Sequence, residues 1–251
     1  MSGDSDIEVE RLRKTLIPLS EWPQRAALVA RQLTTMPPED AALLFARICT
    51  RACAEKTDDA IIAAHAVFFA VLWGYWEEDH LLRTREAAAA QENRITLRLL
   101  QPLRFPDADA EEFEVPKYRT DRILTLGERK TLATTPSRRA IEKAMMDPHP
   151  QVAKKLLDNP RLTETDVVRI CARRMMAPSV LCEVALHVRW RERPSVHQAL
   201  VNNRSLPASF AVSFLPFLDV RTLREITLDR RLDPDLREAA DALLEGVLYA
   251  V

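Results

Sequence analysis

The chain has 251 residues, 47% of them hydrophobic, enough to bury a sizeable core in one large or two small domains. It holds only four glycines, Gly3, Gly74, Gly127 and Gly246, whereas Rossmann crossovers, phosphate loops and tight-turned sheets need glycine where φ is positive or a backbone passes close. Its net charge of −1 supplies no global field toward nucleic acid, although residues 1–125 carry 16 basic and 21 acidic side chains and residues 126–251 carry 20 and 16.

Alanine, leucine, arginine and glutamate dominate, and these are strong helix formers. The composition therefore predicts an all-α protein. A first helix is expected over 5–18, with Ile7, Leu12, Leu16 and Ile17 near one face. A second runs over 21–33, where Ala26, Val29, Ala30 and Leu33 follow the i, i+3, i+4, i+7 spacing of a buried stripe. Met36-Pro-Pro-Glu-Asp opens a third, carrying Leu43, Leu44, Ile48 and Ala52. Thr57-Asp-Asp opens a fourth that is apolar nearly all round, the pattern of a helix at the centre of a bundle. A polar, alanine-rich helix is expected over 77–100. Residues 1–100 thus read as an N-terminal helical bundle.

Residues 101–123 contain three prolines and an acidic cluster and lack helical periodicity. They read as a linker or an extended strap, with Phe105, Phe113 and Tyr118 able to dock it on a neighbouring surface. Residues 124–251 then form short helices near 124–133, 137–146, 150–158, 163–174, 178–188, 194–202, 207–217, 219–228 and 234–249.

This last part repeats. Pro150, Val152, Leu156, Asn159 and Leu162 recur 44 positions later as Pro194, Val196, Leu200, Asn203 and Leu206. A period of roughly 40–47 residues is that of stacked helical repeats. The stretch DPHPQVAKKLLDNPRLTETDVVRICARR, residues 147–174, resembles HEAT-like repeats, and is similar in particular to the leucine-rich-repeat-variant type. The resemblance spans about 124–245 and implies short helices alternating along a solenoid. That family can carry an N-terminal cysteine cluster for an iron–sulfur centre. The arrangement is missing here, so no cofactor is expected.

The four cysteines make no disulfide framework: Cys49 and Cys53 lie four apart on an expected helix, and Cys171 and Cys182 lie in apolar helical stretches. The opening residues MSGDSDIEVERLRK are charged and lack the apolar core of a secretory signal. The apolar run Ala60–Tyr75 is interrupted by His65 and is short for a membrane span. A cytoplasmic protein without membrane association is expected.

Catalytic signatures are weak. No G-x-S-x-G elbow and no glycine-rich phosphate loop occurs. Glu77 and His80 form E-x-x-H beside Glu78 and Asp79, but a di-iron bundle needs that pair twice. A solvated helix start is the expected reading, with a metal or enzyme site in the bundle as the lesser alternative. The expected function is a non-enzymatic adaptor or regulatory scaffold whose repeats hold a protein partner, for example a signalling enzyme or a small GTPase. Arg173, Arg174, Trp190, Arg191 and Arg193 are the candidate partner-binding residues, since tryptophan and arginine are enriched in hot spots. Trp190, in a connection within VRWRERPS, could equally plug a groove between repeats with arginines stacked on it. Nucleic-acid binding by a basic ridge of Arg173, Arg174, Arg189, Arg191, Arg193, Arg230 and Arg231 is the main alternative. Asn159 and Asn203 are expected to bond the backbone of tight inter-helix turns, and a peptide-binding asparagine ladder is the alternative reading.

Overall fold

The computed structural model describes residues 2–106, 113, 115 and 124–249. Those residues form an all-α protein with no strand among them. In chain order the helices are α1 (Ser2–Leu16), α2 (Trp22–Thr35), α3 (Pro38–Glu55), α4 (Asp58–Leu72), α5 (Glu78–Ala90) and α6 (Arg94–Leu99). They continue as α7 (Leu126–Thr134), α8 (Arg138–Ala144), α9 (Pro150–Leu157), α10 (Glu164–Cys171), α11 (Pro178–Leu186), α12 (Val188–Arg191), α13 (Pro194–Val201) and α14 (Ala208–Ala211). A 3-10 segment (Val212–Phe217), α15 (Val220–Leu228) and α16 (Pro234–Tyr249) complete the series.

Two compact units result. Residues 1–103 and 211–251 form unit 1, and residues 104–210 form unit 2. The sequence-based boundary, which placed all of 124–251 in the repeats, is corrected at its C-terminal end. Residues 211–249 pack with the bundle: α16 lies on α3, α6 and the 3-10 segment, and that segment lies on α3 and α4. Arg94 pairs with Asp241 and Glu245, and Arg98 with Glu238, so charges reinforce the α6–α16 contact. Gly246 sits where a Cβ would run into the Ile95 side chain. The expected strap at 101–123 falls mostly outside the described residues, Tyr118 included. Phe105 is described and meets Phe210 edge-on at 5.2 Å between ring centroids.

Unit 1 follows its apolar stripes. Ala26, Val29, Ala30 and Leu33 are the buried face of α2, as their spacing requires. Helix α4 is buried over most of its length and packs on α1, α2, α3 and the 3-10 segment. Helix α3 touches still more elements: α1, α2, α4, α5, α6, α16 and the 3-10 segment. The long helix expected over 77–100 is broken in two at Gln91–Asn93. Glu92 takes φ 57° there, and Asn93 caps α6 by accepting from the Thr96 amide. Two cations lock the unit. Arg13, buried, donates to Asp59 (2.6 Å), Glu55 (2.9 Å), Glu10 (2.9 Å) and Thr57 (3.1 Å), tying α1 to the end of α3 and the start of α4. Lys56, the left-handed cap of α3, donates to the Pro216 and Leu218 carbonyls at 3.2 and 2.7 Å. Burial holds its ammonium below the ordinary lysine value.

Unit 2 repeats a helical group. Helices α7, α9 and α11 pack in succession, and α10 packs on α13. The capping box at Thr125 and Glu128 that opens α7 recurs 38 positions later at Thr163 and Asp166, opening α10. The closing turn recurs at an offset of 44. The Asn159 side-chain amide donates to Ala133 O and Thr135 O, both at 2.8 Å, and its oxygen accepts from the Arg161 amide at 2.9 Å. Asn203 does the same with Cys171 O (2.5 Å), Arg173 O (2.9 Å) and the Ser205 amide (2.9 Å). Both asparagines are buried, so they are structural bridges between turns and not a peptide-binding ladder. The offset grows by six across the group: it reaches 40 at the N-caps of α8 and α11, Ser137 and Ala177, and 44 at the first residues of α9 and α13, the second copy holding extra chain before α11 and again up to the end of α12.

Asparagine is required because each bridge must donate to two carbonyls while also accepting. Aspartate accepts only. A related turn in unit 1 shows the difference: Asp229 accepts from the Arg231 amide at 3.0 Å and pairs with the Arg231 guanidinium at 2.7 Å. Asn203→Asp should therefore cost about 3 kcal/mol in urea unfolding, since it deletes two buried bonds and sets a carboxylate against two carbonyl oxygens. Asn202→Asp, at the exposed neighbour, should stay within about 0.5 kcal/mol.

Candidate functional site

The five candidate partner-binding residues do not share a surface. Trp190 is 2% exposed. Its Nε1 donates to Leu157 O, the last carbonyl of α9, at 3.0 Å, and the Arg189 guanidinium lies 4.2 Å over its ring. Trp190 is thus a plug between repeat groups, carried on the four-residue helix α12 where a connection was expected. Arg191 is wholly buried; its Nη1 donates to Ala185 O at 3.1 Å. Its charge sits against the C-terminal turn of α11, the negative end of that helix. Burial holds the guanidinium below its ordinary value. Neither Trp190 nor Arg191 can present itself to a partner, and both are withdrawn from the site.

The three remaining arginines divide between opposite ends of the α10–α13 pair. At the N-terminal ends, Arg193 lies 3.9 Å from Glu164, which also bonds Ser195. Charge there is partly matched. At the C-terminal ends lie Arg173 and Arg174, both exposed. The Met176 amide donates to Arg173 O, so Arg174 and Met175 form the tip of a tight turn. The Leu206 amide donates to Asn203 O, so Arg204 and Ser205 form the tip of a second. Asn203 joins the two turns, and the Ser205 hydroxyl adds a bond to Arg174 O at 3.3 Å. Arg204, exposed, is thereby brought beside Arg173 and Arg174. None of these three arginines makes an ion pair among the described residues.

The first copy of this corner is an internal control. Thr135, Pro136 and Ser137 stand 38 positions before Arg173, Arg174 and Met175, and Pro160 stands 44 before Arg204. The asparagine bridge is the same in both copies, so the bridge itself does not need the arginines, whereas the connection from Arg173 to the N-cap of the next helix, Ala177, is two residues longer than that from Thr135 to Ser137. Sequence reasoning missed Arg204. Its neighbour Asn203, a repeated position, was the available signal.

The other sequence candidates dissolve into structure. His80 is buried; its Nδ1 accepts from Trp76 Nε1 at 3.0 Å and its Nε2 donates to Met36 O at 3.1 Å. Both ring nitrogens are used, while Glu77, Glu78 and Asp79 face solvent, so E-x-x-H forms no ligand pair. Burial pushes the Cys49, Cys53 and Cys171 thiols up and the Cys182 thiol up to about 12, which is the reverse of nucleophile activation. The basic ridge is interrupted, since Arg191 is buried, Arg189 is stacked and Arg231 is paired with Asp229. Between α1 and α3 lies an open groove of about 900 Å³ lined by both signs of charge, including Asp6, Glu10, Arg47 and Arg51. No helix among the described residues is long and apolar enough to cross a membrane. Comparison with known families, curated proteins and solved structures finds no match for the chain.

Two measurements follow from unit 2. Trp190→Ala should destabilise it by about 3–5 kcal/mol, because the cavity forms where the ring cannot be replaced by collapse. The three remaining tryptophans, Trp22, Trp73 and Trp76, lie in unit 1 and do not follow unit 2 in that variant, so circular dichroism should. Acidification is the second. Burial lowers the pKa of His149, with the Arg129 charge adding to it, and burial lowers that of His187 against the opposing pull of Asp158. The folded state then binds fewer protons than the unfolded state below the ordinary value of 6.5. Stability present above that pH is lost as pH falls through the folded values. A His149→Asn/His187→Gln variant should show a shallower loss between about pH 6.5 and pH 5 in denaturant titrations. Asp166, held near 2 by Arg138, contributes only at lower pH.

Proposed function

We propose that the chain is a non-enzymatic cytoplasmic adaptor or regulatory scaffold, with unit 2 a HEAT-like helical-repeat module that holds an acidic segment of a protein partner. The successive packing of α7, α9 and α11 supports the repeat reading. One observation carries the function: the same asparagine-bridged corner is built twice, and only the second copy bears Arg173, Arg174 and Arg204. Arginines without an ion pair among the described residues, on a pinned backbone, are a preorganised receptor for carboxylates. Their planar forks accept two oxygens at once, and the fixed turns reduce the ordering needed on binding.

An exposed site of this kind gains speed and selectivity from charge more than raw affinity. Binding should therefore weaken steeply with salt and be nearly lost at about 1 M, where the screening length is about 3 Å. An Arg173→Glu/Arg174→Glu/Arg204→Glu variant, matched to wild type by circular dichroism, should lose roughly tenfold or more of its affinity for a partner captured from native extract. Arg161→Glu, at the first corner, should retain it. Capture that is abolished by nuclease, in place of capture resistant to it, would replace the protein partner with nucleic acid.

A further inference from the structure

The second corner carries an apolar group as well as charge. Met175 is 81% exposed at the tip of its turn, directly after Arg174, while the following Met176 is buried. The first corner has no counterpart of this turn tip: Ser137, 38 positions earlier, is the N-cap of α8, whereas Met175 lies two residues before Ala177, the N-cap of α11. The tip is therefore particular to the second corner. An isolated exposed apolar side chain needs no explanation in general. Here it coincides with Arg173, Arg174 and Arg204 on one pair of joined turns, whereas the first corner carries Arg161 and no methionine at its turn tips.

Resting on the function proposed above, we infer that the corner recognises a short acidic peptide with an apolar side chain next to its carboxylates, the carboxylates meeting Arg173, Arg174 and Arg204 and the apolar side chain covering Met175. The thioether is flexible and polarisable, so it shapes itself to an aliphatic or aromatic partner without a preformed pocket. The turn backbone is held by Asn203 and Ser205 at the Arg173 and Arg174 carbonyls, 2.9 and 3.3 Å away. The arginine and methionine stems therefore start from fixed points. An extended peptide advances about 3.3 Å per residue, so a few residues are enough to reach from one turn tip to the other. A purely acidic segment would leave Met175 in water and gain nothing from it.

The test uses the full-length chain and two fluorescein-labelled peptides, one containing Glu-Glu-Leu-Glu and one containing Glu-Glu-Ser-Glu, in anisotropy titrations at low salt. The intact chain should bind the leucine peptide about fivefold more tightly than the serine peptide. Met175→Ser, at an exposed turn tip, should remove that difference by weakening the leucine peptide alone, and this coupling is the signature of a direct contact. Equal binding of the two peptides, or an equal effect of Met175→Ser on both, overturns the inference and leaves the acidic-partner function standing, provided the triple arginine variant abolishes binding. Failure of the intact chain to bind either peptide overturns both.

Discussion

Two N–H bonds from a single side chain, Asn203 to the carbonyls of Cys171 and Arg173, fix everything proposed for this protein. Turns leave backbone carbonyls without helical partners, and a buried carbonyl left unbonded is expensive. A side chain that donates twice and accepts once settles three such groups in one place. It also welds two turns, each from a different helix end, into one rigid corner. The side chains of Arg173, Arg174, Met175 and Arg204 take no part in that bridge. That leaves the same bridge compatible with different turn chemistry in its two copies.

Four of the six extra residues fall between the N-cap of α11 and the start of α13, the stretch that holds α12, and they have a different consequence. They carry Trp190 and Arg191 inward, where the indole closes the C-terminal end of α9 and the guanidinium closes that of α11. Both place a donor against carbonyls at a helix end. An indole and a charged guanidinium are bulky substitutes for a turn, and the second must be compensated while fully buried. The negative end of α11 provides part of that compensation.

Much of this was legible in the residues. Glycine scarcity and the 3.6-residue periodicity announced an all-α chain, and the recurrence of Asn159 as Asn203 announced paired turns. Helix stripes such as Ala26, Val29, Ala30 and Leu33 emerged with the buried face expected of them. The failures share a cause. Trp190 and Arg191 have the composition of a hot spot, and only tertiary packing decides whether such residues face outward or seal a seam. The break at Glu92 carries neither glycine nor proline, and Asn93, a residue type that caps helix starts, was the one local signal there. Residues 211–249 continue the short-helix pattern of unit 2, yet their apolar faces are complementary to α3 and α6, and complementarity between distant segments has no period to read.

That placement of residues 211–249 bears on how the chain is made. Unit 1 is begun by residues 1–103 and finished by a segment that leaves the ribosome after all of unit 2. At typical synthesis rates the interval is on the order of ten seconds. During it, His65 lacks the Phe217 ring that stacks on it at 3.9 Å, and Lys56 lacks both carbonyls it will bind. Unit 2 can close on itself while the older bundle still waits with apolar surface uncovered. Nascent unit 1 is therefore the part of this protein with the greatest need of a chaperone.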